Sequence, residues 1–384
     1  MALTESRHIP FSSAKSLNFL WMSLRILGLY PPEKYKYLYY CYSASINILV
    51  TIGFNVSMFI YAVNYENKRD LISNLAQLSG SIIVSLKILN TYLKRDKLFE
   101  IRKLFAELDS RVVGDDEKEY FEYILKIGRG FFFAFSFFCG MAGLVCDFPA
   151  IFDTERRLAY PAWFPWDWKH STVGFHIANF HQVFSLFTEI IQDVMCDTYP
   201  ATLMWLLKGH LHALGIRVRK IGWNKEKSLN ENYLELRQCV REHQTCFKAF
   251  QLCCNINSRV MLLQFICTQI ILCTTALYLI FYISDIYKSI YLVGYFTCMV
   301  LEITFCCSCG TELMEESLGF TEALYSCNWM DQNSKFKQIL IISMENTQTA
   351  WTNYAGGIIS ISLTTWVTVL KSAYSLFAVF GRSL

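Results

Sequence analysis

The chain has 384 residues, of which 53% are hydrophobic, 16% aromatic and only 17% charged, against about 25% charged in soluble domains. Its net charge of +3, from 35 basic and 32 acidic residues, leaves no basic footprint for nucleic acid, which is excluded as a partner. A chain this apolar is neither disordered nor a soluble enzyme.

A bilayer core about 30 Å thick needs roughly 20 apolar helical residues. Runs free of Asp, Glu, Lys and Arg fall at 37–65, 130–146, 170–188, 260–284 and 346–370, and 71–93 and 289–311 carry one charge each, Lys87 and Glu302. The prediction is an all-α membrane protein with seven spans. In chain order, residues 1–36 precede the first span and hold no apolar leader, so that span is expected to direct insertion. Residues 37–208 hold four spans, with a charged loop at 94–129 and an aromatic one at 153–171. A charged segment follows at 209–259, then two spans in 260–311, a mixed segment at 312–345 and a last span in 346–384. The charged loops are themselves helical: Leu98, Ile101, Phe105 and Leu108 recur at helical spacing, as do Leu229, Tyr233, Leu236, Val240, Phe247 and Phe250.

Cytoplasmic loops collect Lys and Arg. With seven spans, 26 basic residues fall on the face holding the N-terminus and 7 on the other. The N-terminus is therefore expected in the cytoplasm and the C-terminus outside, opposite to G-protein-coupled receptors. All the cysteines lie in spans or on the basic face, so no extracellular disulfide is expected.

Charges inside spans are functional candidates by default, and here they are Lys87, Asp147, Glu189, Asp193, Asp197 and Glu302. Asp147 and Asp197 are expected near helix ends. Glu189 and Asp193, at i and i+4 on the fourth span, would repel each other unless that face meets water or a basic partner. Cys306-Cys307-Ser308-Cys309, Cys239 with His243 and Cys246, and His210 with His212 suggest metal ligands, but their spacing is that of continuous helices rather than zinc loops. No metal or other cofactor is expected, and no catalytic motif occurs. The run Trp163-Phe164-Pro165-Trp166-Asp167-Trp168 suits a headgroup belt or a lid over an apolar pocket. The last span is dense in Ser and Thr and carries Lys371, which suits a wall that sees water.

Glu316-Ser317, Ala323, Tyr325, Trp329, Met344, Gln348 and Leu370-Lys371-Ser372-Ala373-Tyr374-Ser375 together resemble the signature of insect odorant receptors, with departures at Asn346 and Ala350. The resemblance implies an odorant-gated cation channel: a ligand-tuned subunit that forms a tetramer with co-receptor subunits in the plasma membrane of olfactory sensory neurons. A gustatory-type channel subunit and a metabotropic seven-helix receptor are the alternatives. It also implies an odorant site in the outer half of the bundle. The face-sharing sets there are Met141, Leu144 and Phe148, and His176, Phe180 and Phe184, with hydroxyls from Tyr278, Tyr282, Tyr291 and Tyr295. Tyr325 and Trp329 are candidate subunit contacts. Lys371, Ser372, Leu376, Val379 and Ser383 form a stripe expected to face a pore, with the constriction near Val379.

Overall fold

The computed structural model describes residues 12–13, 18–32, 34–65, 68–152, 158, 160–281 and 286–381. These residues are almost entirely helical. The helices are α1 (Asn18–Ile26), α2 (Lys36–Val63), α3 (Lys68–Leu93), α4 (Arg95–Asp109), α5 (Asp115–Phe152), α6 (Thr172–Lys220), α7 (Leu229–Phe281), α8 (Ile286–Tyr325), α9 (Ser334–Thr347) and α10 (Leu363–Phe380). A π-helical stretch, Ile46–Ile52, interrupts α2. Between α9 and α10 lies one small hairpin, β1 (Tyr354–Ala355) and β2 (Ile359–Ser360).

Each predicted span has a long helix. Among the described residues, α2, α5, α7, α8 and α10 are long and apolar enough to cross a membrane. The remaining two, α3 and α6, are long but carry charges within their length, Lys87 on α3 and the pair Glu189 and Asp193 on α6. They pack against the apolar spans, and their polar faces turn inward.

Three boundaries differ from the sequence expectation. The charged segment 209–259 does not stand apart from the fifth span, because α7 is one helix of 53 residues, about 80 Å at 1.5 Å per residue. It begins where Ser228 and Glu231 form a capping box: the Glu231 amide donates to Ser228 Oγ (3.2 Å), and the Ser228 amide donates to Glu231 Oε2 (2.7 Å). The sixth span likewise runs on through residue 325 as α8. The last span starts only at Leu363, capped by Ser362, whose hydroxyl accepts from the Thr365 amide. The uncharged run before it is broken by Gly356 and Gly357 at φ +61° and +75°, a conformation that residues with a Cβ rarely adopt. That turn closes the hairpin, in which Tyr354 pairs with Ser360 and Ala355 with Ile359.

The extensions of α6, α7 and α8 beyond the apolar runs meet α4, α5 and α9 in a layer at the charged end of the bundle. One core there joins Leu214 and Val218 of α6 with Ile221 just past its end, Leu236 of α7, Phe320 and Leu324 of α8, and Phe336 and Leu340 of α9. A second core buries the α4 stripe Leu98, Ile101, Phe105 and Leu108 with Phe121 and Leu211. The turn after α6 is tied to the turn after α8, since the Asn328 amide donates to Ile221 O (3.1 Å) and its side chain to Gly222 O (3.1 Å).

Candidate functional site: a polar cavity and an ion cluster

Inside an apolar bundle, an inward-facing helix stripe can be polar only if its groups find partners. On α6 the stripe Gln182, Ser185, Glu189 and Gln192 is buried at i, i+3, i+7 and i+10, with Asp193 beside it. On α3 the corresponding stripe is Gln77, Ser81 and Lys87, also buried. Between these helices and α7 and α8 lies a cavity of about 60 Å³, lined by Gln77, Ser81, Glu189, Asp193, Tyr295 and Glu302 with Gln264 and apolar neighbours. The volume admits a few water molecules and is well below that of a drug-sized pocket.

The floor of the cavity is an ion cluster. Lys87 Nζ stands 2.9 Å from Asp193 Oδ1, 2.6 Å from Asp197 Oδ1 and 2.7 Å from Glu302 Oε1. Lys87 is thus the basic partner that the acidic face of α6 requires. Asp197, expected near a helix end, is instead buried in this cluster. Gln264 of α7 donates to Glu302 as well, so four helices meet at one set of charges. Above the floor, Ser81 donates to Glu189.

The roof comes from the aromatic loop. Tyr160 is buried, its hydroxyl bonds that of Tyr291, and Tyr291 Oη donates to Gln77 Oε1 at 3.5 Å. The Tyr160 carbonyl accepts from Gln182 Nε2 (2.9 Å) and the Pro161 carbonyl from Asn74 Nδ2 (2.7 Å). Side-chain amides thus hold the loop down onto the bundle.

Of the expected ligand-binding residues, Tyr295 lines the cavity and Tyr291 sits at its mouth. Tyr278 is buried elsewhere in the bundle. Met141, Leu144, His176, Phe180 and Phe184 lie exposed on the bundle surface, Phe180 at 71%. They do not line this cavity, as expected where a bilayer inverts the soluble rule: large apolar faces meet lipid and polar faces meet each other. The Phe148 side chain and Tyr282 lie outside the described residues. Gln77, Ser81 and Gln264 are not marked by the apolar pattern; polar residues at helical spacing within apolar runs are the signal that points to them. Of the suggested metal ligands, Cys306 comes nearest the site, its thiol donating to the Asp197 backbone carbonyl (3.8 Å). Cys306, Cys307 and Cys309 are distributed among helix contacts, and His243 stacks on Phe320 with centroids 4.8 Å apart.

The α10 helix packs on α7 and α8 through its only buried residues, Val369 and Ala373. Its opposite face, Thr364, Thr368, Lys371, Ser375 and Val379, is exposed. Lys371 and Val379 of the expected pore stripe belong to that face. Ser372 and Leu376 are half-buried toward the packed side, and Ser383 lies outside the described residues. At the charged end Tyr325 is exposed and Trp329 half-buried, their rings 6.2 Å apart.

Comparison with known proteins agrees with this architecture. The family model described as 7tm Odorant receptor matches residues 67–374. Among relatives, Odorant receptor 2a of Drosophila melanogaster is 32% identical over 99% of this chain and 100% of its own length. Odorant receptor 59a of the same species is 30% identical over 94% of this chain and 96% of its own. Among solved structures, the insect olfactory receptor OR5 from Machilis hrabei in complex with eugenol superposes with a TM-score of 0.83. It covers 96% of this chain and 98% of its own at 15% identity, a likeness of fold. A family-model match over this share of the chain, together with full-length relatives at this identity, makes the chain a multi-pass membrane protein of the insect odorant receptor family.

Proposed function

We propose that this chain is a ligand-tuned subunit of an odorant-gated cation channel, assembling with co-receptor subunits into a tetramer in the plasma membrane of olfactory sensory neurons. The observation that carries the reading is α10: a membrane-length helix that buries only 17% of its apolar window and bares a stripe of Thr, Ser and Lys. Lipid would penalise that stripe, whereas a central aqueous axis shared by several copies would hydrate it. The basic-residue asymmetry supports an orientation with the N-terminus in the cytoplasm, the aromatic loop outside and Val379 toward the outer mouth.

The odorant enters under the aromatic loop and widens the cavity between α3, α6, α7 and α8, where Tyr291, Tyr295, Gln77 and Ser81 offer hydrogen bonds. At the charged end, Tyr325, Met330, Ile341 and Ile342 leave an exposed apolar surface suited to a neighbouring subunit. Ligand-evoked current from cells expressing this chain with and without a co-receptor tests the proposal. Current that requires both chains supports it; ligand responses that need a G protein and pass no current through the expressed chain overturn it.

A further inference from the structure

The ion cluster is not balanced by its own residues. Lys87 supplies one positive charge to Asp193, Asp197 and Glu302, whose oxygens lie within 4.8 Å of one another. Two negative charges are in excess if all three are ionised. Oxygens also remain over. Among the described residues, Asp197 Oδ2, Glu302 Oε2 and Gln264 Oε1 have no hydrogen-bond partner, and these residues are 5%, 3% and 2% exposed. Gln264 and Glu302 both line the cavity. Unpaired buried acceptors of this kind are costly, and two of them on the cavity wall with the third in the ion cluster beside it call for a positively charged occupant.

Oxygen-only donors select hard cations over thiophilic metals. Lys87 already holds one oxygen of each of Asp197 and Glu302. The three free oxygens fall short of the about six or more that calcium or magnesium gathers, with room for only a few waters to make up the number, so a weakly coordinated monovalent ion suits the site. The volume admits a small ion with water or the ammonium head of a slender amine, but nothing bulkier without widening. We infer that the floor of this cavity is a binding site for a monovalent cation, held by the free oxygens of Asp197, Glu302 and Gln264 beside Asp193. The cation bridges α6, α7 and α8 and so stiffens the bundle under the ligand cavity. Sodium and an organic ammonium share this chemistry.

Thermal unfolding of the detergent-purified full chain tests the site without recourse to current, so it stands or falls separately from the channel reading. The melting temperature is measured in sodium chloride and in n-butylammonium chloride, each against choline chloride at equal ionic strength, with n-butanol as the neutral control. A cation at ten times its dissociation constant should raise the melting temperature by about 2 °C. A rise with sodium alone assigns the site to an inorganic ion. A rise with butylammonium, absent with butanol, assigns it to an ammonium head group. In either case Glu302→Gln and Gln264→Leu should abolish the rise. Gln264→Leu leaves the charge count unchanged and keeps the test open if Glu302→Gln does not fold. No rise over choline in the wild type, or the same rise in both variants, overturns the site.

Discussion

Lys87 and His243 show what burial asks of a single residue. Truncating one partner of a buried ion cluster leaves uncompensated charge, which typically costs about 3–5 kcal/mol, whereas replacing the whole cluster with neutral groups of similar shape is often nearly neutral. Lys87→Met alone should therefore sharply reduce the yield of monodisperse receptor. Adding Asp193→Asn, Asp197→Asn and Glu302→Gln should restore much of it, and equal loss in the single and quadruple variants would mean that Lys87 acts by packing alone. His243 lies in the extension of α7 before its apolar run, stacked on Phe320, and its Nε2 has no hydrogen-bond partner among the described residues. Burial pushes its pKa down to about 4, below the ordinary value near 6.5. Between those values the unfolded chain binds the proton and the folded one does not, so stability present above pH 6.5 is lost as pH falls toward 4. The ceiling is about 3 kcal/mol at about 1.4 kcal/mol per pKa unit. Melting should fall from pH 7 to pH 5 in the wild type and fall less in His243→Phe.

At the scale of elements, the small hairpin shapes the approach to α10 by backbone proximity. A Cβ on Gly310 of α8 would stand 2.2 Å from the Ile361 carbonyl, whereas one on Gly319 of the same helix meets nothing within 4 Å. Alanine in a helix interior is favoured over glycine by about 1 kcal/mol, and overpacking against rigid backbone costs about 1–3 kcal/mol. Melting of the purified chain should therefore drop for Gly310→Ala and hold or rise for Gly319→Ala. The same scale separates what the sequence makes legible from what it hides. Seven spans are legible because the bilayer imposes a length that only uncharged runs satisfy. The inward face of each span is hidden from an apolar reading, since Phe180 and Phe184 repeat at the same helical spacing as Ser185 and Glu189 on the opposite side. The charges Lys87, Glu189, Asp193 and Glu302 did mark the cavity, because each needed a partner that lipid could not supply. The hairpin was hidden because its uncharged strands and turn read as continuous with the span behind them.

At the scale of the assembly, the proposed function gives the charged-end layer and α10 separate tasks, and substitutions can tell them apart. Tyr325 is exposed and Trp329 half-buried against the layer. Tyr325→Ala should thus weaken co-purification with a co-receptor without changing the melting of this chain, and Trp329→Ala should lower both. Unchanged co-purification in both would remove this surface from the subunit interface.

A pore lined by α10, as proposed, places a different demand on the whole molecule. Val379, 60% exposed on the protomer, lies on the bare face of α10 two turns beyond Lys371. A ring of such residues around a shared axis is narrow and apolar enough to shed water, and it conducts only when the helices move apart. The ligand opens the ring only by binding the open form more tightly, and each tenfold preference is worth about 1.4 kcal/mol. A hydroxyl at the ring wets the closed state without any ligand, so Val379→Ser should raise resting current. The rise is partial if this chain supplies only some of the subunits. Phe380 is also exposed, at 51%, but sits 100° further round the helix, so Phe380→Ser should leave resting current near wild type if α10 presents its bare face to the axis. A rise with Phe380→Ser alone would rotate α10 by one residue. Wild-type resting current and ion selectivity in both variants would take this helix out of the pore and return its polar stripe to some other wet surface.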